Sequence, residues 1–146
     1  MPFCKEAAEQ GSAEAQTRLG LFYALSYSGS QKGDEGIVWL QKAADQGHAD
    51  AAFSLGVVYD LGRGLGKDDV KARKWYYRAA IQGHTYASFN LGISYLLSTS
   101  APRDGEKAVK WLQQAAKNGY KYAQFNLGLL YFNGRVTTQN FPDALK

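Results

Sequence analysis

The sequence predicts an all-α solenoid of about four 36-residue helix-turn-helix repeats. Three observations predict it. Leu-Gly pairs recur in phase at Leu19-Gly20, Leu55-Gly56, Leu91-Gly92 and Leu127-Gly128. An aromatic column keeps the same interval through Phe3, Trp39, Trp75 and Trp111. So do Gly11, Gly47, Gly83 and Gly119, each preceded by a pair of alanines (Ala7-Ala8, Ala43-Ala44, Ala79-Ala80, Ala115-Ala116). A fixed period between 20 and 50 residues marks repeats that stack because none buries its apolar face alone. The expected registers are 3–38, 39–74, 75–110 and 111–146, in one domain over 1–146, the terminal repeats being incomplete as helix pairs.

The second copy carries the clearest elements. Ala51, Leu55 and Tyr59 fall at i, i+4 and i+8, one stripe of an amphipathic helix A over about 49–61. Gly62, Gly64 and Gly66 break it, and Asp68 or Asp69 offers an N-cap oxygen to a second helix, B. In helix B, Ala72, Trp75 and Ala79 share a face, and Gly83 supplies the left-handed residue past its end. The first copy ends helix A at Ser26 instead of glycine, so an irregular loop is expected at Ser26-Tyr27-Ser28-Gly29-Ser30. Its acidic pair Asp34-Glu35 stands two positions late, and Gly36 weakens that first turn of helix B. The third copy has Ser98 in the same slot, an irregular loop through Pro102, and helix B starting at Asp104. The fourth has Gly134 past Tyr131, then Pro142 opening a last helix of few residues. No polar capping repeat is visible, which suggests a piece of a longer array.

Glycine inside a helix costs roughly 0.5–1 kcal/mol against alanine. Its return at four equivalent positions calls for a steric reason. We expect helix B to cross helix A there, with the Ala-Ala pairs as the matching small surface and the tryptophans as wedges between repeats.

The second copy reads Ala51, Leu55-Gly56, Tyr59, Gly62, Gly64, Lys71-Ala72, Trp75, Ala79-Ala80 and Gly83. The third reads Ala87, Leu91-Gly92, Tyr95, Lys107-Ala108, Trp111, Ala115-Ala116 and Gly119. This pattern resembles the Sel1-like repeat family, a relative of the tetratricopeptide repeat, over essentially the whole chain. The resemblance implies a right-handed superhelix of antiparallel helix pairs with helix A on the concave side. It also implies scaffold or adaptor work in protein assemblies, often bacterial. Some relatives carry a disulfide in each repeat. This chain has the single cysteine Cys4, in an otherwise apolar column, and reads as a small core hydrophobe there.

Composition limits the rest. The chain is 45% hydrophobic and 21% charged, with a formal net charge of +4, well short of a typical nucleic-acid binder. No apolar run reaches the roughly 18–20 residues of a membrane span, and no signal-peptide pattern opens the chain. The sequence leaves the compartment open, cytoplasmic or periplasmic for a bacterial protein. His48 and His84 share one slot between the turn glycine and helix A, and read as helix-start residues because no third ligand accompanies them. The glycine-rich stretch from Gly62 to Asp68 fits no phosphate-loop spacing and follows no strand. Arg63, Lys67, Lys71, Arg73, Lys74 and Arg78 form the densest basic stretch. Lys71, Lys74 and Arg78 are expected on a solvated face of helix B opposite Trp75. No nucleophile, base and orienting group come together in the pattern, so no enzyme, cofactor or metal site is expected.

Variable columns of helix A are where a partner is expected. One reads Glu14, Asp50, Tyr86, Tyr122, another Arg18, Ser54, Asn90, Asn126, and a third Thr17, Phe53, Phe89, Phe125. With the Leu and Tyr stripe buried, the opposite face points into the concave groove. Tyr and Phe anchor partners well, and asparagine amides hydrogen-bond peptide backbone. The expected groove residues are Asp50, Phe53, Tyr86, Phe89, Asn90, Tyr122, Phe125 and Asn126, although Phe53, Phe89 and Phe125 also suit packing between neighbouring A helices. The reading is a protein- or peptide-binding scaffold. A glycan-binding or hydrolase site between repeats is a first alternative. Weak nucleic-acid or acidic-protein binding by the basic helix B face is a second.

Overall fold

A computed structural model describes residues 2–62, 68–98 and 101–132, with side chains from Lys5 onward. The expected core place of the Cys4 side chain, the loop at 63–67, Gly134 and the helix opened by Pro142 lie outside the described residues. Among those residues there are eight helices and no strand: α1 (Pro2–Glu9), α2 (Ala13–Ser26), α3 (Gln31–Asp45), α4 (Ala49–Leu61), α5 (Asp69–Ala80), α6 (Thr85–Leu97), α7 (Gly105–Lys117) and α8 (Lys121–Phe132). They fall into two compact units, Met1–His84 with α1 to α5 and Thr85–Lys146 with α6 to α8.

Each passage from a B helix to the next A helix is one motif repeated four times. The glycine N–H donates to the second alanine carbonyl, and the following N–H donates to the first. These bonds are Gly47 N to Ala44 O at 2.9 Å and His48 N to Ala43 O at 3.2 Å, with counterparts at Gly11, Gly83 and Gly119. All four glycines have φ between +86° and +98°, the left-handed region that closes such a C-terminal turn. The Ala-Ala pairs therefore satisfy orphan helix carbonyls as well as packing tightly.

In the first unit Gly20 and Gly36 mark a backbone crossing of α2 and α3. A Cβ on Gly20 would stand 2.6 Å from the Gly36 carbonyl oxygen and 2.8 Å from Leu40 Cγ. A Cβ on Gly36 would stand 2.6 Å from both Ala24 N and Gly20 O. Gly36 is thus a close-approach residue rather than a weak helix start. Helix α3 begins earlier than its acidic pair suggested, at Gln31, because Ser30 caps it by accepting from Gly33 N at 3.2 Å. At Gly56 the facing group is the Tyr76 ring, 2.5 Å from an added Cβ. In the second unit Gly92 faces Leu112 Cγ at 2.7 Å and Ala108 O at 3.1 Å.

The seat opposite the glycine is therefore mainly the Leu40, Tyr76, Leu112 column, one residue past each tryptophan, and not the Ala-Ala pair. Those three side chains are among the largest fully buried ones, Tyr76 at 2% exposure. Its hydroxyl donates to Asp60 Oδ2 at 3.1 Å, which keeps the buried phenol satisfied. Trp75 is only half-buried. Trp39 packs beside the cluster of Ala8, Ala15, Leu19 and Tyr23. In the second unit Val109, Leu112, Ala115, Ala123, Leu127, Leu130 and Tyr131 form the core.

The loops differ as the glycine pattern predicted. Helix α4 ends on left-handed Gly62 at φ +72°, whereas α2 ends with Tyr27 at φ −120°. Asp68 and Asp104 cap α5 and α7 by accepting from Lys71 N (2.9 Å) and Lys107 N (3.1 Å). Their own N–H groups donate to the carbonyls of Tyr59 and Tyr95, both at 3.0 Å, tying helix B to the invariant tyrosine of helix A.

Candidate protein-binding faces

The column that begins at Thr17 forms a latch to the residue 31 positions on. Thr17 Oγ1 meets His48 Nδ1 at 3.0 Å. Phe53 stacks on the His84 ring at 4.6 Å between centroids, in the same unit. In the second unit Phe89 meets the Tyr120 ring edge-on at 4.9 Å. Phe53 also contacts Tyr76 at 5.9 Å. Both phenylalanines are half-buried, and their ring partners are the turn residues His84 and Tyr120 and, for Phe53, Tyr76 of α5, rather than side chains of a neighbouring A helix. The same contacts give the histidine slot its role. His48 occupies the N-cap of α4 without a capping bond, and its ring serves the latch instead. His84 Nε2 pairs with Asp50 Oδ1 at 2.8 Å. Among the described residues, no three His, Cys, Asp or Glu side chains group as a metal site needs.

In the second unit one side chain organises an aromatic cluster. Tyr120 lies 5.3 Å from Tyr86, 4.9 Å from Phe89 and 5.5 Å from Tyr122, each contact edge-on, the geometry ring quadrupoles favour. Partial burial first, then repulsion from the Tyr86 and Tyr122 phenolates, hold the Tyr120 phenol above the usual tyrosine pKa of 10.0. Tyr120 was not singled out by its sequence; the signal was the histidine slot, which carries an aromatic there. Around it Tyr86 is 55% exposed, Tyr122 66% and Phe125 65%. Asn90 and Asn126 are half-buried, and Asn126 Nδ2 donates to Tyr122 O at 2.6 Å. Phe125 holds the position in its repeat that Phe53 and Phe89 hold in theirs. Asp50, the remaining expected site residue, is exposed in the first unit and engaged by His84.

The basic face differs from its expectation. Lys71, Lys74 and Arg78 do not lie opposite Trp75; with Trp75 and Tyr59 they line one open cleft of about 340 Å³. The Arg78 guanidinium sits 5.1 Å above the Trp75 ring, and Lys71 Nζ sits 5.5 Å from the Tyr59 ring. The physical reason is cation–π attraction along helical spacing: i and i+3 share a face. Trp39 carries Lys42 at 4.7 Å in the same way. In the second unit Trp111 carries Lys110 and Tyr95 carries Lys107, at 5.1 and 5.7 Å.

The Sel1 repeat family model matches four times, at residues 13–48, 49–84, 85–120 and 121–146. The chain belongs to the Sel1-repeat family. Its period is the 36 residues of the landmarks, cut so that each family unit opens at an A helix. A Sel1 repeat protein of Oxalobacter formigenes is similar at 34% identity and a TM-score of 0.75, over 86% of this chain and 51% of that one. The antigen c5321 of uropathogenic Escherichia coli, described as protective and as displaying this repeat fold, is similar at 36% identity and a TM-score of 0.79. That similarity covers 90% of this chain and 28% of the antigen, so this chain spans about half or less of both proteins. Helicobacter pylori cysteine-rich protein B shares the fold at 23% identity, over 84% of this chain and 93% of that one, with a TM-score of 0.63. No curated protein matches.

Sel1-repeat proteins are helical-repeat solenoids, typically non-catalytic, that often mediate protein–protein interaction. Among the described residues, no helix is long and apolar enough to cross a membrane.

Proposed function

We propose that this Sel1-repeat chain is a non-enzymatic adaptor that captures a protein or peptide on the exposed face of its A-type helices. The best-equipped part of that face is on α6 and α8. One observation carries the reading: Tyr86, Tyr122 and Phe125 expose 55–66% of their surface while Tyr120 holds both tyrosines in place. Aromatic side chains supply large contact area with few rotors to freeze, and rings fixed beforehand lose less entropy on binding. Asn90 and Asn126 stand beside them as amide partners for backbone. Phe53 and Phe89 support the face through the latch rather than forming it, and Asp50 supports His84.

The test selects binders from a peptide-display library on the wild-type chain and measures their affinity for Y86A/Y122A/F125A by calorimetry. All three rings are exposed, so the variant should keep its helical circular dichroism. Hot-spot losses of about 2 kcal/mol or more, roughly 30-fold in Kd, are expected. Unchanged affinity in a folded variant would sink the proposal.

A further inference from the structure

We propose a second docking surface, for a short acidic peptide segment, in the cleft that Tyr59, Lys71, Lys74, Trp75 and Arg78 line in the first unit. It is separate from the aromatic face of α6 and α8. Three cations and two aromatic rings border about 340 Å³, and none of the five lining residues is a carboxylate. Arg78 is held over Trp75 at 5.1 Å and reaches Asp45 at 3.5 Å, with both side chains substantially exposed. Lys71 and Lys74 are exposed and stand one helical turn apart on α5, with Lys71 Nζ 5.5 Å from the Tyr59 ring. Like charges so placed repel, and an anion between them removes that repulsion. Half-buried Trp75 gives apolar surface to an aliphatic side chain next to the carboxylates, while buried Tyr59 lies under Lys71 and forms the floor of the cleft.

Charge placement selects a peptide over a nucleic acid. Asp45 stands at the Arg78 end, and Asp68 caps the helix one turn before Lys71. A phosphate backbone running past the cleft meets a carboxylate at either end, whereas a segment with two or three carboxylates ends within it. The net charge of +4 is likewise too small for a polyanion track.

Fluorescence anisotropy with a labelled peptide of alternating glutamate and leucine, its glutamine counterpart and a single-stranded oligothymidylate tests this. The glutamate peptide should saturate and bind about ten-fold tighter than the glutamine one. K71Q/K74Q should weaken it about five-fold or more, and salt should weaken it with a slope of about two to three released ions. Independently of any variant's folding, the Trp75 indole N–H resonance of the wild-type chain, assigned with W75F, should shift on titration. The Trp39 and Trp111 resonances should stay. Equal binding of the glutamine peptide, undiminished binding by folded K71Q/K74Q, a stationary Trp75 resonance, or tighter binding of the oligothymidylate each overturns the proposal.

Discussion

A Cβ is the smallest probe of this fold, and its cost depends on what it meets. At Gly36 and Gly20 it meets backbone, which cannot move without separating α2 from α3. Gly36→Ala should therefore cost about 3 kcal/mol, overpacking outweighing the gain in helix propensity of roughly 1 kcal/mol. Urea denaturation measures it, and a neutral result would remove the crossing. At Gly47 the space is open but φ is +86°, so Gly47→Ala should cost only about 1 kcal/mol, from backbone strain alone. Tyr120 sets a pH dependence. Its folded pKa lies above the unfolded value of 10.0, so its contribution is complete below that pH and is lost as pH rises through the folded pKa. Denaturation midpoints should fall more steeply above about pH 10 in the wild type than in Tyr120→Phe. Parallel curves would show that the cluster does not hold the phenol protonated.

Among elements, α5 shows most clearly how far a residue's type predicts its place. Its tryptophan stripe was expected to be the wedge, yet the fully buried ring is Tyr76, which lies under Gly56. Tyr76→Ala should cost about 3–5 kcal/mol, and Trp75→Ala, half-buried beneath Arg78, about half of that. Equal losses in chemical denaturation would restore the wedge. The start of α7 rests on Asp104, which both caps the helix and anchors its N–H on Tyr95. Asp104→Ala should lower stability by about 1 kcal/mol, the cap alone being lost. Helix order, the four turns and these caps were legible because each is a local rule about glycine, alanine or aspartate. The irregular end of α2 at Ser26 was legible for the same reason. The early start of α3 was not, since Ser30 was read as loop and Gly36 as a weak first turn.

Over the whole chain, repeat architecture makes stability a sum of local terms. The collisions at Gly36 and Gly92 are confined to α2–α3 and to α6–α7, so the costs of Gly36→Ala and Gly92→Ala should add within about 0.5 kcal/mol. A coupling above about 1 kcal/mol in the double mutant would show that the two helix pairs do not respond independently. The sequence by itself determined the period, the family, the all-helical class and the burial of the leucine in each Leu-Gly pair. Those follow from constraints repeated in every copy, and repetition within one chain is visible without coordinates. Only the tertiary structure decided that Gly36 is a crossing, that Tyr120 gathers Tyr86, Phe89 and Tyr122, and that Arg78 lies over Trp75 instead of opposite it. The first depends on how closely two backbones approach, and the other two on distances between side chains. Such distances appear only when helices pack, whereas a repeated pattern records what all copies share.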